Sequence, residues 1–311
     1  MKVILGTMTF GKQVDEKTAE RIVKMFLDHG HSEIDTAFTY IGGKTEEILG
    51  RILAPSLREK VYLATKVFPE SPAGFRPEKV VEQVETSLKR LKTDWVDLLY
   101  LHRPDNQTPI EVTLETCQKL FRQGKFRWLG LSNYAAWQVA DIRHICKQND
   151  WVLPAAYQGI YNALSRNVEP ELFPAIRNFG LKFYAYNPLA GGLLTGKYPD
   201  INKHPEDGRF FHKQFYKDRF WKASYFNALE EIRTPCKSNG ISMAEAALRW
   251  LKHHSLLNAA SNDGTIIGVT GIDHLKANLQ ACEAGELPQE IVEAYAKAAK
   301  LTKMDCPSYF R

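Results

Sequence analysis

The sequence predicts an α/β protein, a (β/α)8 TIM barrel with a long loop after strand seven and an extra C-terminal helix and tail. Short apolar runs alternate with amphipathic segments along the 311 residues, as parallel strands joined by crossover helices do. Eight such units fit roughly 250–300 residues. The turn after the first strand lacks the G-x-G-x-x-G of a doubly wound sheet, the main rival. We expect a single barrel domain over residues 1–311.

The first half of the chain is predicted to hold four strand–helix units. Asp15 can cap the first helix, and Gly30 is expected to end it. Pro77 suits the first turn of the third helix, because proline is tolerated where no intrahelical hydrogen bond is needed. The strands are expected near 2–5, 33–36, 61–67 and 96–101, and the fourth helix near 109–122.

The second half continues the alternation and then interrupts it. Residues 187–224 are rich in Gly, Pro and aromatic residues and are predicted to form a loop, and loops of this length are usually functional. Ser242 and Glu245 form a capping box that opens a later helix. The strands are expected near 127–131, 155–159, 181–186 and 265–267, and the helices near 135–147, 169–178, 242–253, 273–282 and 288–302.

Composition indicates an ordinary globular enzyme. Hydrophobic residues make up 44%, charged residues 25%, and the net charge of +5 contains no Lys/Arg block, so nucleic-acid binding is not indicated. No apolar run of about 18 residues is present, so no membrane span is expected. The five cysteines are scattered without metal-ligand spacing, which favours free thiols in a reducing, cytoplasmic compartment and no metal site.

Four ionisable residues follow three of the apolar runs. Asp35, Lys66 and His102 each end a run, and Tyr40 comes five residues after Asp35. In a parallel barrel the C-terminal strand ends meet on one face, where such residues are typical of catalysis. Singly, each is more often a surface residue, but their occurrence together favours a site. An acid, a phenol, an ammonium and an imidazole predict proton transfer to a carbonyl oxygen.

The expected chemistry centres on the phenol. An ammonium about 4 Å away stabilises a phenolate by up to about 4 kcal/mol at an effective dielectric of 20, whereas desolvation opposes this gain. We expect a net fall in the pKa of Tyr40, which would make it a competent acid near neutrality. Asp35 would neutralise Lys66, and His102 would orient the carbonyl. None of these groups can supply a hydride, so a cofactor must do so.

Longer motifs surround these residues in a fixed order, and they cover essentially the whole chain. They are Glu33-Ile34-Asp35-Thr36-Ala37-x-x-Tyr40, Thr65-Lys66, Tyr100-Leu101-His102, Gly130-Leu131-Ser132-Asn133-Tyr134, the run from Tyr186 to Tyr198, and the ending Cys306-Pro307-Ser308-Tyr309-Phe310-Arg311. With these motifs the sequence resembles the aldo-keto reductases, and most closely their branch of aflatoxin-aldehyde and succinic-semialdehyde reductases.

The resemblance implies NADPH-dependent reduction of semialdehydes, dicarbonyls and aromatic aldehydes, with Tyr40 as proton donor and NADPH extended across the barrel mouth. A homodimer is also implied. The catalytic residues are then Asp35, Tyr40, Lys66 and His102. The matching cofactor-binding positions are Ser132, Asn133, Gln158, Tyr186, Asn187, Leu189, Gly191, Lys197, Arg209, Gly268, Thr270, His274 and Asn278. Val269 and His274 depart from the residues common in relatives, which weakens the preference for NADPH over NADH.

The substrate positions follow from the same resemblance. Met8 and Arg103 are expected at the pocket rim, and Arg219 and the terminal Arg311 match basic residues near the substrate. Two guanidinium groups at an otherwise apolar mouth would favour an aldehyde that also carries an acid group, because guanidinium binds carboxylate in a bidentate manner.

Plain structural interpretations and rival functions stay open at this point. Ser132 and Asn133 could cap a helix, Tyr186 could be a core aromatic residue, and Lys197 and Arg209 could be solvated charges. One rival function is a redox-sensing, cofactor-binding interaction subunit with little turnover, as in barrel relatives that attach to ion channels. Another is an aldolase that uses Lys66 as a Schiff base, although a neighbouring Asp35 would keep that amine protonated.

Overall fold

The computed structural model describes residues 1–53, 55–203, 205–206 and 208–311. Its eight strands are parallel and close in sequence order, since the first strand pairs with both the second and the eighth. The predicted (β/α)8 barrel is therefore confirmed. The strands are β1 Lys2–Gly6, β2 Glu33–Asp35, β3 Tyr62–Val67, β4 Val96–Leu101, β5 Phe126–Ser132, β6 Pro154–Ile160, β7 Lys182–Tyr186 and β8 Gly264–Gly268.

The helices begin and end where local signals indicate. The Asp15 carboxylate accepts a hydrogen bond from the Thr18 amide at 2.7 Å, Gly30 follows the first helix at φ +79°, and Pro77 is the first residue of the third. The helices are α1 Glu16–Asp28, α2 Lys44–Leu53, α3 Pro77–Leu91, α4 Ile110–Arg122, α5 Ala136–Gln148, α6 Leu172–Asn178, α7 Arg209–His212, α8 Gln214–Phe220, α9 Ala223–Ser238, α10 Met243–His253, α11 Ile272–Glu283 and α12 Gln289–Thr302.

The segment after β7 corrects one expectation. The described part of 187–224 is not structureless: it contains a 3₁₀ helix at Ala190–Thr195, then α7 and α8, and α9 was not anticipated. Phe210, Tyr216 and Phe220 are buried and pack on one another and on neighbouring rings. Helices this short are marginal alone and are stabilised by such packing, so a local pattern rich in Gly and Pro does not reveal them.

The core has two parts, one outside the barrel and one inside it. Most buried side chains lie between the strands and the surrounding helices. A smaller cluster fills the barrel interior, namely Ile4, Ala64, Leu98, Tyr100, Ala156, Tyr184 and Ile266. Because this filling occupies the barrel, the polar side chains at the C-terminal strand ends converge above it. Within the described part of the chain, no helix has the length and apolar composition needed to span a membrane.

Candidate active site

A fully buried lysine organises the C-terminal end of the barrel. Lys66 lies on β3, beside the β2 strand that ends at Asp35. Its Nζ donates to Asp35 Oδ1 at 2.5 Å, to the Thr36 carbonyl oxygen at 2.7 Å and to the Tyr40 hydroxyl at 3.2 Å. The other carboxylate oxygen of Asp35 accepts from Gln158 Nε2 at 2.8 Å. The amine thus contacts both the acid and the phenol, and the three groups lie together as the sequence predicted.

The electrostatic balance at Tyr40 differs from the expectation. Burial of the hydroxyl raises the pKa of Tyr40 above its ordinary value, and the Lys66 charge only partly opposes this because the Asp35 charge cancels some of its effect. The predicted net fall in this pKa is therefore wrong in this structure. Burial also acts to lower the pKa of Lys66, but Asp35 and Tyr40 outweigh it and raise the pKa, so the amine stays protonated and is unsuited to Schiff-base chemistry.

His102 follows β4 and completes the group. Its ring centroid lies 6.2 Å from that of Tyr40 and 5.5 Å from that of Phe68, both in edge arrangements. Burial, followed by the charges of Lys66 and two arginines, lowers the pKa of His102 well below its ordinary value, so the ring is neutral at pH 7. Its Nδ1 is buried and has no hydrogen-bond partner among the described residues.

A hydrogen-bonded chain links three predicted cofactor residues to the tail. Asn133 Nδ2 donates to the His102 carbonyl oxygen and to Ser132 Oγ, both at 2.9 Å. Tyr186 donates its hydroxyl to Asn133 Oδ1 at 2.6 Å. Arg311 donates a guanidinium N–H to the Tyr186 oxygen at 3.2 Å and its amide to the Asn133 carbonyl oxygen at 3.1 Å. The segment that ends at Arg311 therefore reaches the barrel mouth.

The predicted substrate residues separate into two groups. Arg103 and Arg311 line one cleft of about 260 Å³ beside the mouth, together with Glu70, Asp105 and Gln107. Arg219 instead packs on the Phe215 ring of α8 at 5.1 Å, and Met8 is partly buried after β1. Among the described contacts, neither Arg219 nor Met8 reaches Tyr40 or the arginines of the cleft.

A positive cluster, formed by Lys12, Arg209 and Lys213, lies near the end of β8. The Arg209 guanidinium comes so close to Gly268 that a Cβ there would lie 3.4 Å from it. Burial, followed by the charges of Lys12 and Arg209, lowers the pKa of Lys213. Sequence reasoning missed Lys12 and Lys213, because they stand far apart in sequence and outside any motif. Their shared basic character was the only available signal.

The remaining cofactor positions surround this face less tightly. Thr270 Oγ1 and His274 Nδ1 are 2.7 Å apart, and Lys197 Nζ lies 4.9 Å from the Tyr198 ring centroid. Gly191 has φ +71°, and a side chain there would collide with Tyr216. Asn187 also has positive φ, while Leu189 and Asn278 are partly buried without a described contact to the positive cluster.

The chain is similar to known proteins over nearly its whole length. A family model described as the Aldo/keto reductase family matches residues 2–300. The chain is 47% identical to aflatoxin B1 aldehyde reductase member 2 of Homo sapiens, over 99% of this chain and 89% of that protein. It is 46% identical to aldo-keto reductase family 7 member A3 of Homo sapiens, over 99% and 96%. It is 31% identical to the oxidoreductase sirO of Leptosphaeria maculans, again over 99% and 96%.

Proposed function

Because this chain belongs to the aldo/keto reductase family, we propose that it is an NADPH-dependent aldehyde reductase with Tyr40 as its proton donor. The observation that carries the proposal is the contact of the Tyr40 hydroxyl with Lys66 Nζ at 3.2 Å, beside a neutral His102. A protonated phenol and a neutral imidazole at one barrel mouth suit a carbonyl oxygen that gains charge during reaction.

Each of the four catalytic candidates has a separate role in the proposed reaction. NADPH, when bound, supplies the hydride, since no side chain here can. His102 orients the carbonyl, and Tyr40 donates its proton as charge develops on the oxygen. The raised pKa of Tyr40 does not prevent this step, because an alkoxide is a far stronger base than a phenolate. Lys66 stabilises the phenolate that remains, and Asp35 keeps Lys66 charged and in place.

The side chains at the mouth fit a phosphorylated nicotinamide cofactor. Ser132, Asn133 and Gln158 would hold the carboxamide, and Tyr186 would stack on the ring. The positive cluster of Lys12, Arg209 and Lys213 has the opposite charge to a phosphate. A bound phosphate would offset the repulsion among these three cations. This cluster supports NADPH over NADH even though Val269 and His274 depart from common residues.

The cleft beside the mouth supports an acid-bearing aldehyde as substrate. Arg103 and Arg311 both face it, and Arg311 also contacts Tyr186 at the expected nicotinamide position. The charges of both arginines also act on His102, so a carboxylate held by these guanidinium groups would lie on the His102 side of the barrel mouth. We infer that semialdehydes and dicarbonyls are preferred over sterols or sugars.

Steady-state oxidation of NADPH with a panel of acidic, neutral and dicarbonyl aldehydes tests the proposal. We expect turnover with several aldehydes, a higher kcat/KM for acidic ones, and weaker activity with NADH. Tight binding of NADPH without turnover would instead favour the interaction subunit. Borohydride trapping of a substrate adduct on Lys66 without NADPH consumption would favour the aldolase.

Replacing Arg311 by Met should raise KM for succinic semialdehyde by about tenfold, because a hydrogen bond to a charged group is lost. The neutral 4-nitrobenzaldehyde is the matched control, and its KM should change little. Met keeps the backbone amide that bonds to the Asn133 carbonyl oxygen, so the tail retains one anchor. Equal increases in KM for both aldehydes would show that Arg311 does not recognise a carboxylate.

A further inference from the structure

A buried ion pair between Glu46 and Arg90 contacts the loop that carries Tyr40. Glu46, in the first turn of α2, is fully buried, and the Arg90 side chain, near the end of α3, is 21% exposed. Arg90 NH1 lies 3.2 Å from Glu46 Oε2. A buried ion pair contributes to stability only when additional hydrogen bonds satisfy its remaining atoms, so the other partners of these two side chains are informative.

The second carboxylate oxygen of Glu46 is bound to the strand of the catalytic lysine. Its Oε1 accepts a hydrogen bond from the Thr65 hydroxyl at 2.7 Å. Thr65 immediately precedes Lys66 in β3, and the two side chains point to opposite faces of the strand. Glu46 therefore binds the outer face of β3 at Thr65. The next residue, Lys66, presents its ammonium group on the inner face.

The guanidinium of Arg90 is bound to the loop of the proposed proton donor. Its NH1 donates to the Phe38 carbonyl oxygen at 3.2 Å, and its Cζ lies 4.7 Å from the Phe38 ring centroid. The Phe38 amide in turn donates to the Lys66 carbonyl oxygen at 3.1 Å. Arg90 thus fixes the backbone two residues before Tyr40.

The backbone just after Tyr40 is strained. Ile41, Gly42 and Gly43 have φ values of +49°, +63° and +93°. A β-branched residue in the left-handed region is an outlier, and such strain persists only where surrounding contacts hold it. A side chain at Gly43 would collide with the Arg90 guanidinium, so this turn is shaped around Arg90.

We propose that Glu46 and Arg90 are positioning residues that hold the Tyr40 hydroxyl at hydrogen-bond distance from Lys66. The proposal rests on the proposed role of Tyr40 as proton donor. Glu46 and Arg90 do not contact that hydroxyl themselves; they act through the loop at Phe38 and the strand at Thr65. Proton transfer depends steeply on geometry, and a displacement of about 1 Å can slow it by about 100-fold.

The variant Arg90→Met tests this role, because Met keeps an unbranched side chain and removes the guanidinium. We expect kcat to fall by about 10- to 100-fold while the Kd for NADPH is unchanged. The solvent deuterium isotope effect on kcat should rise, since proton transfer becomes slower relative to the other steps. Arg90→Lys, which can keep one hydrogen bond, should recover part of kcat.

Arg51→Met is the matched control. Arg51 lies on α2, like Glu46, and pairs with Glu16 of α1 at 2.6 Å on the exposed surface. Its loss should leave kcat and the isotope effect unchanged. A normal kcat in Arg90→Met, or a lower kcat with an unchanged isotope effect and a lower unfolding midpoint, would overturn the positioning role.

A double-mutant cycle separates this proposal from the proposed function. If Arg90 acts through Tyr40, then adding Arg90→Met to Tyr40→Phe should cause little further loss of kcat. Additive losses contradict the positioning role alone. A Tyr40→Phe variant with normal kcat removes the proton-donor role itself, whatever Arg90→Met does.

Discussion

Tyr40→Phe should lower kcat by about 10²- to 10⁴-fold, the usual loss when a general acid is removed. Phe retains the ring and therefore the packing against His102. It removes only the hydroxyl that contacts Lys66 at 3.2 Å. The expected Kd for NADPH is unchanged, because no predicted cofactor contact is lost. Single-turnover measurements and equilibrium titration of NADPH fluorescence would separate these two effects.

The pH dependence gives a second check on the same residue. Burial raises the pKa of Tyr40 above its ordinary value of 10.0, so the phenol keeps its proton throughout the neutral and mildly alkaline range. His102 has a pKa lowered by burial and by nearby cations, so it stays neutral down to mildly acidic pH. The wild-type kcat/KM for reduction should therefore form a broad plateau around neutrality. An alkaline decline centred well below pH 10 would contradict the raised pKa.

Lys66→Met should lower the free energy of unfolding by about 3–5 kcal/mol, because it leaves the buried Asp35 carboxylate without its cation. Gln158 would still donate one hydrogen bond to that carboxylate, but an amide does not neutralise it. Reductase activity should also fall, because the phenolate left by proton donation loses its stabilising charge. Urea unfolding, followed by its midpoint and slope, measures the first effect.

Two variants control the interpretation of this loss. The double variant Asp35→Asn/Lys66→Met removes both buried charges and should recover much of the lost stability without recovering activity. Lys79→Met removes a cation from an exposed ion pair with Glu82 and should leave the unfolding midpoint unchanged. A Lys66→Met protein as stable as the wild type would show that the Asp35 charge does not need its partner.

Local sequence patterns were sufficient to locate the catalytic candidates. Three apolar runs end at Asp35, Lys66 and His102, and in a closed parallel barrel all such ends lie on one face. Caps such as Asp15 and the turn at Gly30 were also readable, because their physical cause lies within a few residues. The expectation of proton transfer to a carbonyl oxygen followed from the residue types, and the reductase family from motifs along the chain.

The tertiary structure alone decided the balance of forces at the site. The sign of the Tyr40 pKa shift depends on burial against two opposing charges, which no local pattern reports. The contact of Arg90 with Phe38, the cluster around Lys213 and the helices after β7 all join residues distant in sequence. Periodicity encodes which side of an element is buried, whereas net electrostatics and loop geometry arise only when separate elements pack together.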